Sequence, residues 1–137
     1  MRDFPLGLRV TELGTFGQYT VLRHRGYVVV LGAPRGGEAA VERYLHRIGT
    51  ARADAVVLTQ FPRAVDNGRV ARLAASAYVL YVPGPTRPLH GVIMYAAQRY
   101  GTEVVFLYEG DALRAGRLVV ADGAVWFDGQ WVAVQAW

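Results

Sequence analysis

Tyr44-Leu45-His46-Arg47-Ile48-Gly49, then Ala53-Asp54-Ala55-Val56-Val57-Leu58-Thr59, then Gln60-Phe61-Pro62-Arg63-Ala64-Val65-Asp66-Asn67-Gly68 is the stretch on which the fold turns. Its first part ends an amphipathic helix. Val41, Tyr44, Leu45 and Ile48 fall at i, i+3, i+4 and i+7, Glu42, Arg43, His46 and Arg47 face away, and Gly49 stops the helix. Ala55 to Thr59 is an unbroken apolar run of strand length, the signature of a parallel strand covered on both faces. The third part is a loop that leads into a second helix from about Asn67 to Ala77.

Upstream, Leu8 to Leu13 alternates with the strand period, and Tyr19–Arg23 and Tyr27–Leu31 flank a tight turn at His24-Arg25-Gly26. Downstream come a strand at Tyr78–Val82, a stiff loop with Pro83, Pro85 and Pro88, a third helix over roughly Leu89–Tyr100, and an apolar strand at Glu103–Tyr108. Arg117–Ala121, Ala124–Phe127 and Trp131–Val134 read as antiparallel strands, with hairpin signals at Asp122-Gly123 and Asp128-Gly129. The expectation is one α/β domain over residues 1–137: a mixed sheet, three helices and C-terminal antiparallel strands.

Composition narrows the chemistry. Cysteine is absent, which removes disulfides, thiolate–zinc sites and thiol catalysis. The net charge is +4, and all of the 15 basic residues are arginine, a modest excess compatible with a polyanion partner. No apolar run reaches membrane-span length and the N-terminus lacks a signal-like segment, so the chain is expected to be soluble as it stands, with no bilayer insertion of its own.

The order of elements, together with several short motifs, resembles the N-terminal half of the metallo-β-lactamase fold. The nearest likeness is to the soluble domain of the ComEC competence DNA-uptake family. Arg47-Ile48-Gly49 and Asp54-Ala55-Val56-Val57-Leu58-Thr59 resemble that family's "R-x-G" and "D-A-L-V-L-T-H". Glu12-Leu13-Gly14-Thr15-Phe16-Gly17 stands where it has "D-V-G-Q-G-D", and Val29-Val30-Leu31-Gly32-Ala33 where it has "L-V-D-A-G". Tyr81-Val82-Pro83-Gly84, Glu109-Gly110-Asp111-Ala112-Leu113 and Gly116 are similar to its "v-P-G" and "G-D-x-L-x-x-G". The resemblance spans roughly residues 8 to 121 and implies half of an αββα sandwich.

The departures decide the chemistry. The family's metal motif T-H-x-H-x-D-H-x-x-G, laid without a gap on Thr59–Gly68, puts Gln60, Pro62, Ala64 and Val65 at the ligand positions. Zinc requires three or four imidazole, thiolate or carboxylate donors, and Pro, Ala and Val offer none. Glu12 and Gly32 replace two further acidic positions. The sequence therefore implies no metal, no cofactor and no hydrolysis by the fold's usual route. The resemblance covers about one half of that fold, and the expectation is that the open face of the sheet is closed by self-association or by the C-terminal strands, the stretch that carries Trp126, Phe127, Trp131 and Trp137.

Other chemistry is weaker. His24 at a hairpin tip and His46 on a polar helix face read as solvated, Ser76 has no nucleophile elbow, and Asp111 reads as a turn cap. Gly32-x-x-x-Gly36-Gly37 lies between a strand and a helix, where phosphate loops lie, but lacks the G-K-[ST] ending, any lysine and the G-x-G-x-x-G pattern, leaving at most a weak anion site with Arg35. The remaining candidates for contact with nucleic acid are Arg63, Arg69, Arg72 and Arg87, with Phe61 to stack a base and His90 at a helix start; the competing reading has these arginines paired with Asp66 and other acids. The expected function is a non-catalytic domain that contacts single-stranded DNA or scaffolds proteins in DNA uptake, with a second copy or competence and membrane proteins as partners. The ComEC likeness implies a parent protein attached to the inner membrane, and the residues themselves leave a cytoplasmic location equally open. Two alternatives stay open: a small hydrolase or nuclease with a relocated site such as Asp66, His90 and Asp111, and a purely structural oligomerising subunit.

Overall fold

In the strand Tyr27–Gly32 even and odd positions face opposite ways, yet both sets are apolar, so the sheet that contains it must be covered twice. A computed structural model describes residues 2–3, 7–83, 91–108, 110–115, 118–121 and 124–132, and in it both covers are present. The elements run β1 (Arg2–Asp3), β2 (Arg9–Leu13), β3 (Tyr19–His24), β4 (Tyr27–Gly32), α1 (Glu38–Arg47), β5 (Ala53–Leu58), a 3-10 turn (Ala64–Asp66), α2 (Asn67–Ala75), β6 (Ala77–Pro83), α3 (Gly91–Tyr100) and β7 (Glu103–Leu107). Four short strands follow: β8 (Leu113–Ala115), β9 (Leu118–Ala121), β10 (Ala124–Phe127) and β11 (Gln130–Val132).

The first seven strands form one sheet in sequence order, antiparallel from β1 to β4 and parallel from β4 to β7. Val30, Val56, Leu58, Leu80 and Val82 pack on one face against Val41, Tyr44 and Leu45 of α1 and Val70, Leu73 and Ala74 of α2. Val10, Leu22, Val29, Leu31, Ala55 and Val57 line the other face. Over them lies the second sheet, order β11-β10-β9-β8, through Leu113, Val120, Val125, Phe127 and Val132. Of the two ways to close the open face, the chain's own C-terminal strands do so here. The result is three layers: helices, large sheet, small sheet.

Local chemistry sets the register. Arg25 (φ 50) and Gly26 (φ 82) make a two-residue turn with both central residues left-handed, which joins β3 to β4 after the pair His24↔Tyr27. Asp128-Gly129 does the same between β10 and β11. Asp54 Oδ2 accepts the Val28 N–H at 2.8 Å and ties the start of β5 to β4.

Several expectations shift. β1 and β8 were not read from the sequence, α2 stops at Ala75, and Asp122-Gly123 lies outside the described residues. His24 is not solvated: half-buried, its ring meets Phe127 edge-on at 4.7 Å and 76°, which joins the large sheet to the small one. Trp126 is half-buried on β10, and Trp137 lies outside the described residues. Among the described residues no helix is long and apolar enough to cross a membrane.

If the small sheet is part of the core, Phe127→Ala should cost about 3–5 kcal/mol in chemical denaturation, as for a fully enclosed aromatic. A loss under about 1 kcal/mol, within the range of surface substitutions, would mean the small sheet is peripheral.

Candidate functional site

The parallel strands β4 and β5 end side by side, and the Thr59 N–H donates to the Gly32 carbonyl at 3.0 Å. In an open α/β sheet this end, beyond the strand carboxyl termini, is where ligands bind. The loop 59–66, the start of α1 and the start of β3 converge on it.

Asp66 closes the loop. It is 1% exposed, and its carboxylate collects four hydrogen bonds. Arg63 grips it with a fork, Nε to Oδ2 at 2.9 Å and Nη2 to Oδ1 at 3.1 Å, and adds its backbone N–H at 3.2 Å. Arg69, one turn into α2, donates Nη1 to Oδ1 at 3.2 Å. The Arg63 hydrogen bond, reinforced by Arg69 and opposed by burial, holds the Asp66 carboxyl down at about 2.

Arg69 also reaches a second acid. Its Nε lies 3.7 Å from Oε1 of Glu38, which is buried in the first turn of α1. The other Glu38 oxygen accepts the Tyr19 hydroxyl at 2.5 Å and the Gly36 N–H at 3.0 Å. Burial first, and then the Glu38 carboxylate, push the Tyr19 phenol well above its ordinary value, so it stays a neutral donor. Arg63, Asp66, Arg69 and Glu38 thus form a balanced cluster of two cations and two anions, closed beneath by Tyr19.

Six candidates were expected at the carboxyl ends of adjacent strands, and the structure describes four of them. Arg63 and Arg69 come together on Asp66. Arg72 points elsewhere and forms a fork with Glu42 of α1 at 2.9 and 2.8 Å. Phe61 is half-buried and packs against the helix-side core. Arg87 and His90 lie outside the described residues. Of the relocated triad, Asp66 is enclosed by arginines, whereas Asp111 accepts the Tyr108 N–H at 2.9 Å as a turn cap. His46 is exposed on α1. Glu38 and Tyr19 were not singled out. An acid just after Gly36-Gly37 was the one available signal, because the anion at that turn is the chain's own carboxylate.

The residues at the motif do not fit a divalent metal. Pro62 is buried, Ala64 and Val65 lie exposed in the 3-10 turn, and both carboxylates present are already engaged by arginine. Among the described residues no three His, Asp or Glu side chains come together as a ligand set. Gly32, at the position where a further acid is expected, has no room for one: a Cβ there would meet Tyr19 Cδ1 at 2.4 Å and the Gln18 carbonyl oxygen at 2.6 Å.

No family model matches the sequence, and no curated protein matches it. Among solved structures, CmlA, a diiron beta-hydroxylase from Streptomyces venezuelae, is similar over 90% of this chain with a TM-score of 0.54 and 19% identity. The fold is of the metallo-β-lactamase type. This chain spans 24% of CmlA's length. A diphosphatase from the PhnP family aligns over 74% of this chain and 41% of its own at 13% identity, with a TM-score of 0.40.

Because Asp66 titrates lower in the folded chain than in the unfolded one, its contribution to stability is complete above about pH 4 and fades between about pH 4 and 2. Asp66→Ala should cost about 1.5–3 kcal/mol at pH 7 and flatten that acid limb. Arg72→Ala, which breaks a solvent-exposed pair, should cost under about 1 kcal/mol. Equal losses for the two variants in urea titrations would refute the special weight given to Asp66.

Proposed function

We propose that this chain is a non-catalytic metallo-β-lactamase-type domain related to the ComEC competence DNA-uptake family, and that it works as a protein–protein scaffold. One observation carries the reading: at the strand ends where this fold houses its chemistry, Arg63 and Arg69 hold Asp66 in a charge-balanced cluster. A cation site needs uncommitted lone pairs converging on one point. Here the carboxylate lone pairs point into guanidinium groups on the same chain. The loop is thereby locked without an ion, leaving the surface around it as the part that can act.

A second reading is contact with single-stranded nucleic acid at the same loop. It is favoured by Arg63 and Arg69 being 51% and 45% exposed, so that each guanidinium keeps an outer edge towards solvent. Their pairing with Asp66 and Glu38 weakens it, since phosphate binding draws on excess positive charge.

Two measurements separate these readings from each other and from an enzyme. Incubated with zinc or manganese and then dialysed, the protein should retain far less than one ion per chain by elemental analysis; a full equivalent, together with chelator-sensitive DNA cleavage, would defeat the non-catalytic reading. In fluorescence anisotropy with an oligo-dT strand at low salt, the scaffold reading expects no saturable binding. If binding does occur and Arg63→Ala with Arg69→Ala lowers the salt slope by about 1.4, as loss of two phosphate contacts on a single strand should, nucleic-acid contact is the correct reading.

A further inference from the structure

The two edges of the large sheet are built differently. At one edge stands β1, two residues long and charged, Arg2-Asp3, a short and charged end of the kind that discourages further pairing. At the other stands β7, Glu103-Val104-Val105-Phe106-Leu107, five residues with one charge at its start. It pairs with β6 on one side, and among the described residues no strand lies on its other side. Val104, Val105, Phe106 and Leu107 are each left partly exposed, whereas their counterparts Val29, Val30, Leu31, Val56 and Leu80 in the neighbouring parallel strands are fully buried.

This edge is apolar on both faces. Val104 and Phe106 pack on the helix-side core, and Leu107 packs on the core beneath the small sheet. An amphipathic strand added here would set polar side chains against one of these layers. What fits is a strand that is itself apolar on both faces, and β7 is such a strand. The flanking helix contributes as well: Tyr95 and Arg99 lie along the α3 cleft towards α2, and at 100° per residue Met94 falls on the opposite flank, where it is 39% exposed.

We infer that β7 is a homodimer interface, with the β7 strands of two copies pairing antiparallel about a two-fold axis at Val105. This goes beyond the scaffold reading and does not depend on it. In that register Val104 faces Phe106 of the second copy, a favourable β-branched–aromatic pair, and Glu103 faces Leu107, so no like charges lie directly opposite along the strand. Antiparallel pairing also keeps the two Glu103 carboxylates at opposite ends of the paired strands. The large sheets of the two copies become continuous, and the paired strands cover both apolar layers.

The full chain should therefore sediment at twice 15.0 kDa at high concentration and dissociate on dilution. Val105→Lys, with folding checked by circular dichroism, should weaken association at least about tenfold, since an edge lysine is the usual block to strand pairing. Because the chain has no cysteine, Val105→Cys supplies a second test that does not require a destabilising charge. Residues facing each other at the axis have Cα atoms about 4.5–5.5 Å apart, within disulfide reach, so mild oxidation should give a covalent dimer. Tyr95→Cys on the α2–α3 cleft should crosslink far more slowly. A wild type that stays monomeric at every concentration, or equal crosslinking by the two cysteine variants, would overturn the interface.

Discussion

The Asp66 carboxylate sits almost without solvent at the carboxyl ends of the parallel strands, and such a group must be either protonated or paired. Arg63 and Arg69 pair it, and the pairing keeps it ionised far into the acid range. The rest of the site follows. A loop that orders its own anion with its own cations has its geometry fixed by covalent neighbours three residues away, so nothing has to arrive from solution to close it. Through Arg69 the same charge balance extends to Glu38, which brings α1, α2 and the start of β3 into one network. What distinguishes this site is therefore where its lone pairs point, more than which acids it contains.

The second constraint is area. A half of this fold with a single covered face would leave Val10, Leu22, Val29, Leu31, Ala55 and Val57 against water. The burial of those side chains under β8–β11 supplies the hydrophobic stabilisation a lone half lacks. It also gives the terminal strands a structural purpose, and so Phe127 and the half-buried ring of His24 belong to packing between sheets. Once that face is closed, the β7 edge becomes the sheet's one long apolar margin among the described residues.

Much of this architecture is legible in the sequence, because local chemistry encodes it. The apolar spacing of Val41, Tyr44 and Leu45, the continuous run Ala55–Leu58 and the Arg25-Gly26 and Asp128-Gly129 turns each determine an element without reference to distant residues. What escaped depends on such distant partners. β1 is two residues long and β8 three, too short to show a period, and each exists through its pairing with β2 or β9. Tyr19 reads as one more apolar strand residue until Glu38, 19 positions later, receives its hydroxyl. Arg69 and Arg72 are one helical turn apart and look equivalent in sequence. They separate only because Asp66 lies at the near end of α2 and Glu42 across the helix pair, and each guanidinium follows the closest buried or half-buried acid.

The exclusive use of arginine, which composition alone could not interpret, has a physical consequence at particular positions. Arg63 bridges both oxygens of Asp66 through Nε and Nη2, and Arg72 does the same to Glu42. A lysine ammonium is a single point of charge and cannot present two parallel donors to one carboxylate, so neither fork survives that exchange. Arg52 makes no such fork: it uses one nitrogen to hold both the last carbonyl of α3 and Thr102, contacts a single point of charge can also make, while its Cζ lies over the Tyr78 ring at 5.0 Å. On the exposed side of α1 the Arg47 guanidinium lies over the Tyr44 ring at 5.7 Å, whereas at Arg43 nothing in the structure explains arginine over lysine. The guanidinium is thus required where a planar fork meets a carboxylate, at the site and between α1 and α2.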